Sequence, residues 1–599
     1  MDREKVVGAL TFLIVLMASG CGGGGQNITP PPPPPKITLG NVAAYYSVTS
    51  PLNLNYAIAG ESAFTLLANG SGFTTSSVIE WNGAPLATTF GDSADLAAAV
   101  SASLIATPGT VSVTVKDSSS GVTSNAMPFG IASPAAATAS VIQLITIATD
   151  GSPANADSLV SPSINSDGRY VAFQSVATNL VPGAASGFQD IYLRDTCLGS
   201  APAGCVPSTA RISVTYNGSP TNFHSYDSSL SPDGRFVAFD SEATNILPGT
   251  ASCGNTCVFL RDTCNGAPVG CVPSTTLISV AVDGATAGGG NPSISAGGEF
   301  VAFSSNSTNI VNGDNNAVAD AFVRDTCNGA PAGCTPSNEL VSISSTGTQG
   351  NSTSGLSAIS ATGRFVAFQS WASNLTSNEN SAIEPNMFVR DTCVGAPASC
   401  SPTTTRLDIA TDGTGANSSV FQAIPAISGE GRIVAFGSRA TNLVSLNVGG
   451  QGNVYVRDTC AGAAAGCAPS TDLVSLANDG STANCGSPSQ GLSMSADGRF
   501  VAFDSIATNL VPGDTFPACG FEDIFIRDTC FGAASGCAPS TVRASVSNAP
   551  NLAAQANNIS GYPAISTDGH YVVFLSAATN LIPGGANGHT MVFLAKTGF

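Results

Sequence analysis

At 599 residues the chain exceeds one ordinary core, so several domains or a repeat array are expected. Charged residues make up 10% of it, against 65 Gly and 36 Pro, a balance that favours short strands and turns over helices. The formal net charge of −19 repels a phosphate backbone and excludes nucleic acid as a natural partner.

The chain begins MDREKVVGALTFLIVLMASGC, in which a short charged start precedes an apolar run from Val6 to Met17 and then small residues. This is the layout of a secretory signal, and the run is too short for a permanent membrane helix. Within it, Ala18-Ser19-Gly20-Cys21 resembles the lipobox of bacterial lipoproteins. The resemblance implies that residues 1–20 are a signal peptide and that cleavage leaves Cys21 lipidated. Gly22 in the next position, rather than Asp, resembles lipoproteins sent on to the outer membrane, on its periplasmic or its outer side. A plain signal peptide with an incidental cysteine is the alternative, since Asp2 and Glu4 offset Arg3 and Lys5. Residues 21–36, with GGGG and six consecutive prolines, read as a tether that cannot form a core.

From 37 to 132, short apolar runs such as FTLLANGSGF, SVIEWNG and GTVSVTV alternate with glycine turns, as in a small antiparallel sandwich. Asn69-Gly70-Ser71-Gly72-Phe73, the Trp81-Asn82-Gly83 turn, Leu96 to Val100, Pro108 to Val115 and Ser124 to Phe129 resemble the IPT/TIG immunoglobulin-like family. That family implies a spacer or interaction module. Trp81 beside its turn reads as a core residue rather than a ligand-stacking one.

Residues 141–599 form one repeat array, marked seven times by a turn and an apolar strand: SDGRYVAFQS, PDGRFVAFDS, AGGEFVAFSS, ATGRFVAFQS, GEGRIVAFGS, ADGRFVAFDS and TDGHYVVFLS. The second copy shows four strand signals, SYDSSLS, RFVAFDS, TCVFLRDT and TTLISVAV. Four strands seven times predict an all-β, seven-bladed β-propeller. The last copy lacks a fourth strand, and VIQLITIATDG at Val141 aligns with the fourth strands of other copies, so an N-terminal strand is expected to complete the last blade. The DG turn, the VAF strand and the DIF-RD strand resemble the TolB-like propeller family over the whole array.

Of 17 cysteines, twelve form local pairs: Cys197/Cys205, Cys264/Cys271, Cys327/Cys334, Cys393/Cys400, Cys460/Cys467 and Cys530/Cys537. Each pair encloses six or seven residues, which suits neither a redox C-x-x-C nor a zinc site with four ligands. An exported chain meets an oxidising compartment, so hairpin disulfides are expected. Cys485 and Cys519 lie in loops that share one face of a blade and can pair, while Cys253 and Cys257 pair within one loop.

Catalytic signals are sparse. His570 stands where other repeats carry the turn arginine, His589 precedes the last strand, and only His224, near Tyr226, is loose. No G-x-S-x-G elbow occurs. Glu242, Glu379, Glu384 and Glu522 fall in or near long loops, where solvated carboxylates are the ordinary case. Asp314, Asn316 and Asp320 have calcium-like spacing, echoed weakly at Asp514. The pairs Arg194-Asp195, Arg261-Asp262, Arg324-Asp325, Arg390-Asp391, Arg457-Asp458 and Arg527-Asp528 recur once per blade, as does the Asn of ATNLVPG, so they read as architecture.

These features lead to a monomeric, non-enzymatic envelope lipoprotein with no cofactor, metal or catalytic residue assigned. It would bind a protein or glycan through the loop face that holds His224, Trp371, Glu379 and the Cys253 and Cys519 loops. The alternative is a polysaccharide hydrolase or lyase acting in the funnel. Unmatched carboxylates, His or Tyr converging there would favour the enzyme, and an apolar or mixed rim would favour partner binding.

Overall fold

The computed structural model describes residues 37–45, 56–58, 63–107, 109–132, 142–182, 187–249, 255–377, 384–421, 423–487, 491–511, 519–547, 555–582 and 588–599. Cys21, the tether, Val141, Cys253, Glu379 and Asp514 lie outside these residues. Among the described residues there is no α-helix, and no helix is long and apolar enough to cross a membrane.

The first part of the chain forms two sheets, one of four strands and one of five. Alternating burial in Ser77–Trp81 places Trp81 in the core, 4% exposed and 5.3 Å from the Phe129 ring. The expectation of purely antiparallel pairing fails at one place. Tyr56–Ile58 runs parallel to Met127–Ala132, because the chain reaches that edge from the opposite sheet rather than through a hairpin.

After it come seven four-stranded antiparallel sheets in a propeller-like arrangement, here I to VII. Sheet II shows the plan: Ser225–Leu230, Phe236–Ser241, Cys257–Asp262 and Ser274–Leu277, in that spatial order. The fourth strand is shorter than TTLISVAV suggests. It ends at Leu277, and the chain turns back through an isolated bridge between Val280 and Thr286. Second strands are buried on both faces, and each sheet stacks an aromatic pair across its second and third strands, from Phe173–Tyr192 to Phe574–Phe593, at 5.7–6.1 Å.

Sheet VII takes its fourth strand from the N-terminal side of the array. Ile142–Leu144 pairs with Phe593–Ala595 of the last strand, covering an edge that would otherwise be open. First strands touch their neighbours from sheet to sheet, and that of sheet VII touches that of sheet I. The turn glycines carry the same cycle. Gly234 has φ +75°, and a Cβ placed on it would fall 2.4 Å from the Tyr170 ring of sheet I. Gly168 of sheet I stands in the same way against Tyr571 of sheet VII. Only glycine fits this left-handed turn pressed on a ring.

The recurring polar residues serve this frame. The turn arginines Arg169, Arg235, Arg364, Arg432 and Arg499 make bidentate pairs with Asp195, Asp262, Asp391, Asp458 and Asp528. The same aspartates accept the N–H of the first hairpin cysteine. Burial pushes the Asp262 carboxyl up, but hydrogen bonds from Arg235 and the Cys264 N–H hold it below its ordinary value. Sheet III departs from the pattern, with Glu299 in the arginine position. Burial and then the Asp325 charge push its carboxyl up. The other arginine of the repeat, as in Arg390, donates to Thr404 of its own sheet and to the Ser344 carbonyl beyond the fourth strand of the preceding one.

Six disulfides close the hairpins, at Cys197–Cys205, Cys264–Cys271, Cys327–Cys334, Cys393–Cys400, Cys460–Cys467 and Cys530–Cys537. A seventh joins Cys485 to Cys519. Cys257 is also disulfide-bonded. Each hairpin gathers an aspartate and two cysteine sulfurs closely enough for a metal, yet these sulfurs are spent in disulfides and offer no thiolate.

Candidate functional site

In sheets I to VI the cysteine hairpin shares one end of the sheet with the turn that precedes the second strand, and the long loops share the other end. At the loop end the second strand finishes in a fixed serine flanked by two varying positions. The serine is structural. Ser241 Oγ, for example, accepts from the Ala243 N–H and donates to the His224 carbonyl. The residue before it is Gln174, Asp240, Ser304, Gln369, Gly437, Asp504 or Leu575 in sheets I to VII, and the residue after it is Val176, Glu242, Asn306, Trp371, Arg439, Ile506 or Ala577. These positions stand at the loop end of the ring that the first strands form, here called the mouth, and the residue before the serine is buried in every sheet but III.

Among the described residues the first strands of sheets I, II, III, IV and VII break register just inside this mouth, and in each a non-glycine residue takes a positive φ: Val160, Asp227, Asn291, Leu356 and Tyr562. Such bulges re-aim side chains and hold local strain, a pattern concentrated at functional sites.

Acidic groups meet at two of these places. In sheet II, Asp227, Asp240 and Glu242 lie together. Asp240 is 5% exposed, and its Oδ1 has no hydrogen-bond partner among the described residues. Burial and then the Asp227 charge push the Asp240 carboxyl well above its ordinary value. Burial alone raises Asp227. Tyr226 is pushed up to about 12 by burial, then by the charge and hydrogen bonding of Glu242. In sheet VI, Asp504 is fully buried and Glu522 is raised by burial. The two groups approach each other across the mouth: Tyr562 is raised by burial and then by Asp504, Glu522 and Asp227.

Aromatic rings flank the acids. His224 meets Phe188 and Phe223 edge to face, those two rings are tilted against each other, all three centroids lie 5.0–5.2 Å apart, and Tyr226 stacks on His224 at 5.9 Å. His224 Nδ1 accepts the Gln189 N–H at 3.0 Å, which leaves Nε2 as the ring's donor. Phe223 is 44% exposed, and Phe521, beside Glu522, is 43% exposed.

The structure thus brings His224, Glu242 and Glu522 to one mouth, with Trp371 half-buried at the Glu242 position of sheet IV. Glu384 is exposed and joins no cluster. His570 pairs with Asp568 at 3.1 Å beside the DG turn, away from the mouth, whereas His589 pairs with Asp157 at 3.3 Å at the loop end, where Asp157 holds in sheet I the place of His224 in sheet II. The calcium-like trio is closed by amides. Gln349 Nε2 donates to Asp314 and Asp320, Asn316 Nδ2 donates to Asp320, and Ser342 donates to its other oxygen. Sequence reasoning missed Asp227, Asp240, Asp504 and Tyr562 because they lie inside repeated strands. The available signal was the unmatched residue of each VAF-x-Ser.

A separate cleft of about 770 Å³ opens between sheets V and VI, lined by Leu443, Leu446, Arg527 and Phe531 among others. It lies where Ile433 replaces the aromatic residue that follows the turn in the other six sheets.

No known protein family's sequence pattern matches the chain, and no curated protein matches it. Solved structures are similar at low level. An auxiliary nutrient binding protein from Bacteroides thetaiotaomicron is 10% identical, with 94% of this chain and 98% of that one covered and a TM-score of 0.29. Prolyl oligopeptidase B from Galerina marginata is 11% identical, with 84% and 55% covered and a TM-score of 0.35. The tricorn protease is 11% identical at a TM-score of 0.26, and the chain spans 38% of its length. Scores this low carry no argument about what this chain does.

Proposed function

We propose that the chain is an envelope lipoprotein, lipidated at Cys21 and held on the outer membrane by the 21–36 tether. In this reading residues 37–132 are an IPT/TIG-like immunoglobulin domain, and residues 141–599 are a TolB-like seven-bladed propeller that binds a glycan as a monomer. One observation carries the binding role: the exposed Phe223, in its cluster with Phe188, His224 and Tyr226, stands beside Asp227 and Glu242 at the mouth. Aromatic faces cover the apolar side of a sugar ring, and carboxylates accept from its hydroxyls, so the pairing suits a concave polar ligand better than a flat protein surface. A glycan array probed with the full chain tests this. Binding to a defined oligosaccharide class that Phe223→Ala abolishes supports the reading, and an empty array defeats it.

The enzyme reading draws on the raised carboxyls. Burial and the Asp227 charge push the Asp240 carboxyl up, and a raised acid beside a second carboxylate is the arrangement that acid–base cleavage of a glycosidic bond uses. Product analysis on the same oligosaccharides separates the two: cleavage lost in Asp240→Asn favours an enzyme, and intact sugars favour binding alone.

A further inference from the structure

We propose that the ligand taken at the mouth carries a protonated amine, an inference that rests on the glycan reading and narrows it to amino sugars. One or two carboxylates suffice to accept from the hydroxyls of a neutral sugar. Here the mouth gathers Asp227, Asp240, Glu242, Asp504 and Glu522, and the charges of Asp227, Asp504 and Glu522 all reach Tyr562. Among the described residues no lysine, arginine or histidine forms an ion pair with Asp227, Asp240, Glu242 or Glu522.

The independent observation is Asp240 itself. It is more than nine-tenths buried, faces Asp227 and Glu242, and keeps Oδ1 without a hydrogen-bond partner. A buried carboxyl of this kind is costly unless it holds a proton or meets a cation. The following sheet packs glycine backbone against it. A Cβ on Gly290 would crowd Asp240 Oδ2 at 3.1 Å, and one on Gly561 would touch Asp504 Oδ2 at 3.5 Å and Glu522 Oε2 at 3.7 Å. Glycine at both places keeps a side chain of the next sheet from covering the acids. Tyr226 and Tyr562 add aromatic faces, so the constellation combines the two elements that recognise ammonium groups. No bond of the ligand is formed or broken on binding. An anionic glycan is repelled.

The test is calorimetric titration of the full chain at pH 6 with three oligosaccharides of equal length: β-1,4-linked glucosamine, its N-acetylated form, and glucose. The glucosamine oligomer is expected to bind about tenfold or more tighter than the other two, as one charged contact allows. Asp240→Asn is expected to erase that advantage without lowering the thermal melt, and Glu242→Gln serves as a second variant if the first does not fold. Equal affinity for all three sugars overturns the amine while the glycan reading stands. Failure of all three to bind overturns both.

Discussion

The contact between each turn glycine and the aromatic ring of the preceding sheet makes a quantitative prediction. Gly234→Ala forces a Cβ to within 2.4 Å of Tyr170 Cδ2 while the residue keeps φ at +75°. Gly284→Ala imposes the same kind of strain, at φ +84°, with no atom within 4 Å of the added carbon. A left-handed alanine costs about 1–2 kcal/mol at either site. Overpacking a filled contact adds about 1–3 kcal/mol, and the ring is held between sheets and cannot swing clear. Gly234→Ala is therefore expected to lose about 2–5 kcal/mol in urea unfolding, and Gly284→Ala about 1–2 kcal/mol. Equal losses in the two variants would refute the claim that these glycines pack sheet upon sheet, since only their surroundings differ.

Four further outcomes are expected. The folded chain should show almost no reactive thiol, and Cys485→Ser should cost more than one hairpin variant, about 4 against 2.5 kcal/mol, because its loop is longer. Glu299→Arg should raise the urea midpoint by supplying sheet III with the arginine–aspartate pair of five other sheets; an unchanged or lower midpoint counts against that pair as a stabilising device. Asp240 has a raised folded pKa, so its contribution is complete below the unfolded value and is lost as pH rises through the folded one. Asp240→Asn should thus be the more stable protein at pH 8, with the gap closing toward pH 4 in parallel denaturation series. Deleting residues 141–147 should expose the edge at Met591–Lys596 and yield dimers or aggregates by light scattering, whereas a stable monomer would argue against strand exchange between the ends.

The frame was legible in the sequence because it repeats. Seven copies of one turn and strand announce seven sheets, and the local cysteine spacing announces the hairpin disulfides. The unpaired end of the last copy announces the borrowed strand at Ile142. The site was legible only in part, for the opposite reason. His224, Glu242 and Glu522 stood in loops and could be weighed, whereas Asp240 and Asp504 were hidden in VAFDS strands that read as core. Their meaning depends on two features that no single repeat displays: a glycine on the following sheet, and a bulge that brings Asp227 within reach of Tyr562. The calcium-like spacing misled because Gln349, far along the chain, supplies the donors that a cation would replace.

Hydrogen–deuterium exchange of the full chain with and without its best-binding oligosaccharide tests the central claim most directly. The account predicts slowed exchange in residues 187–191, 222–228 and 240–243 and around Glu522 and Tyr562, with the cysteine hairpins unchanged. Protection confined to residues 37–132, or to the cleft between sheets V and VI, would contradict it.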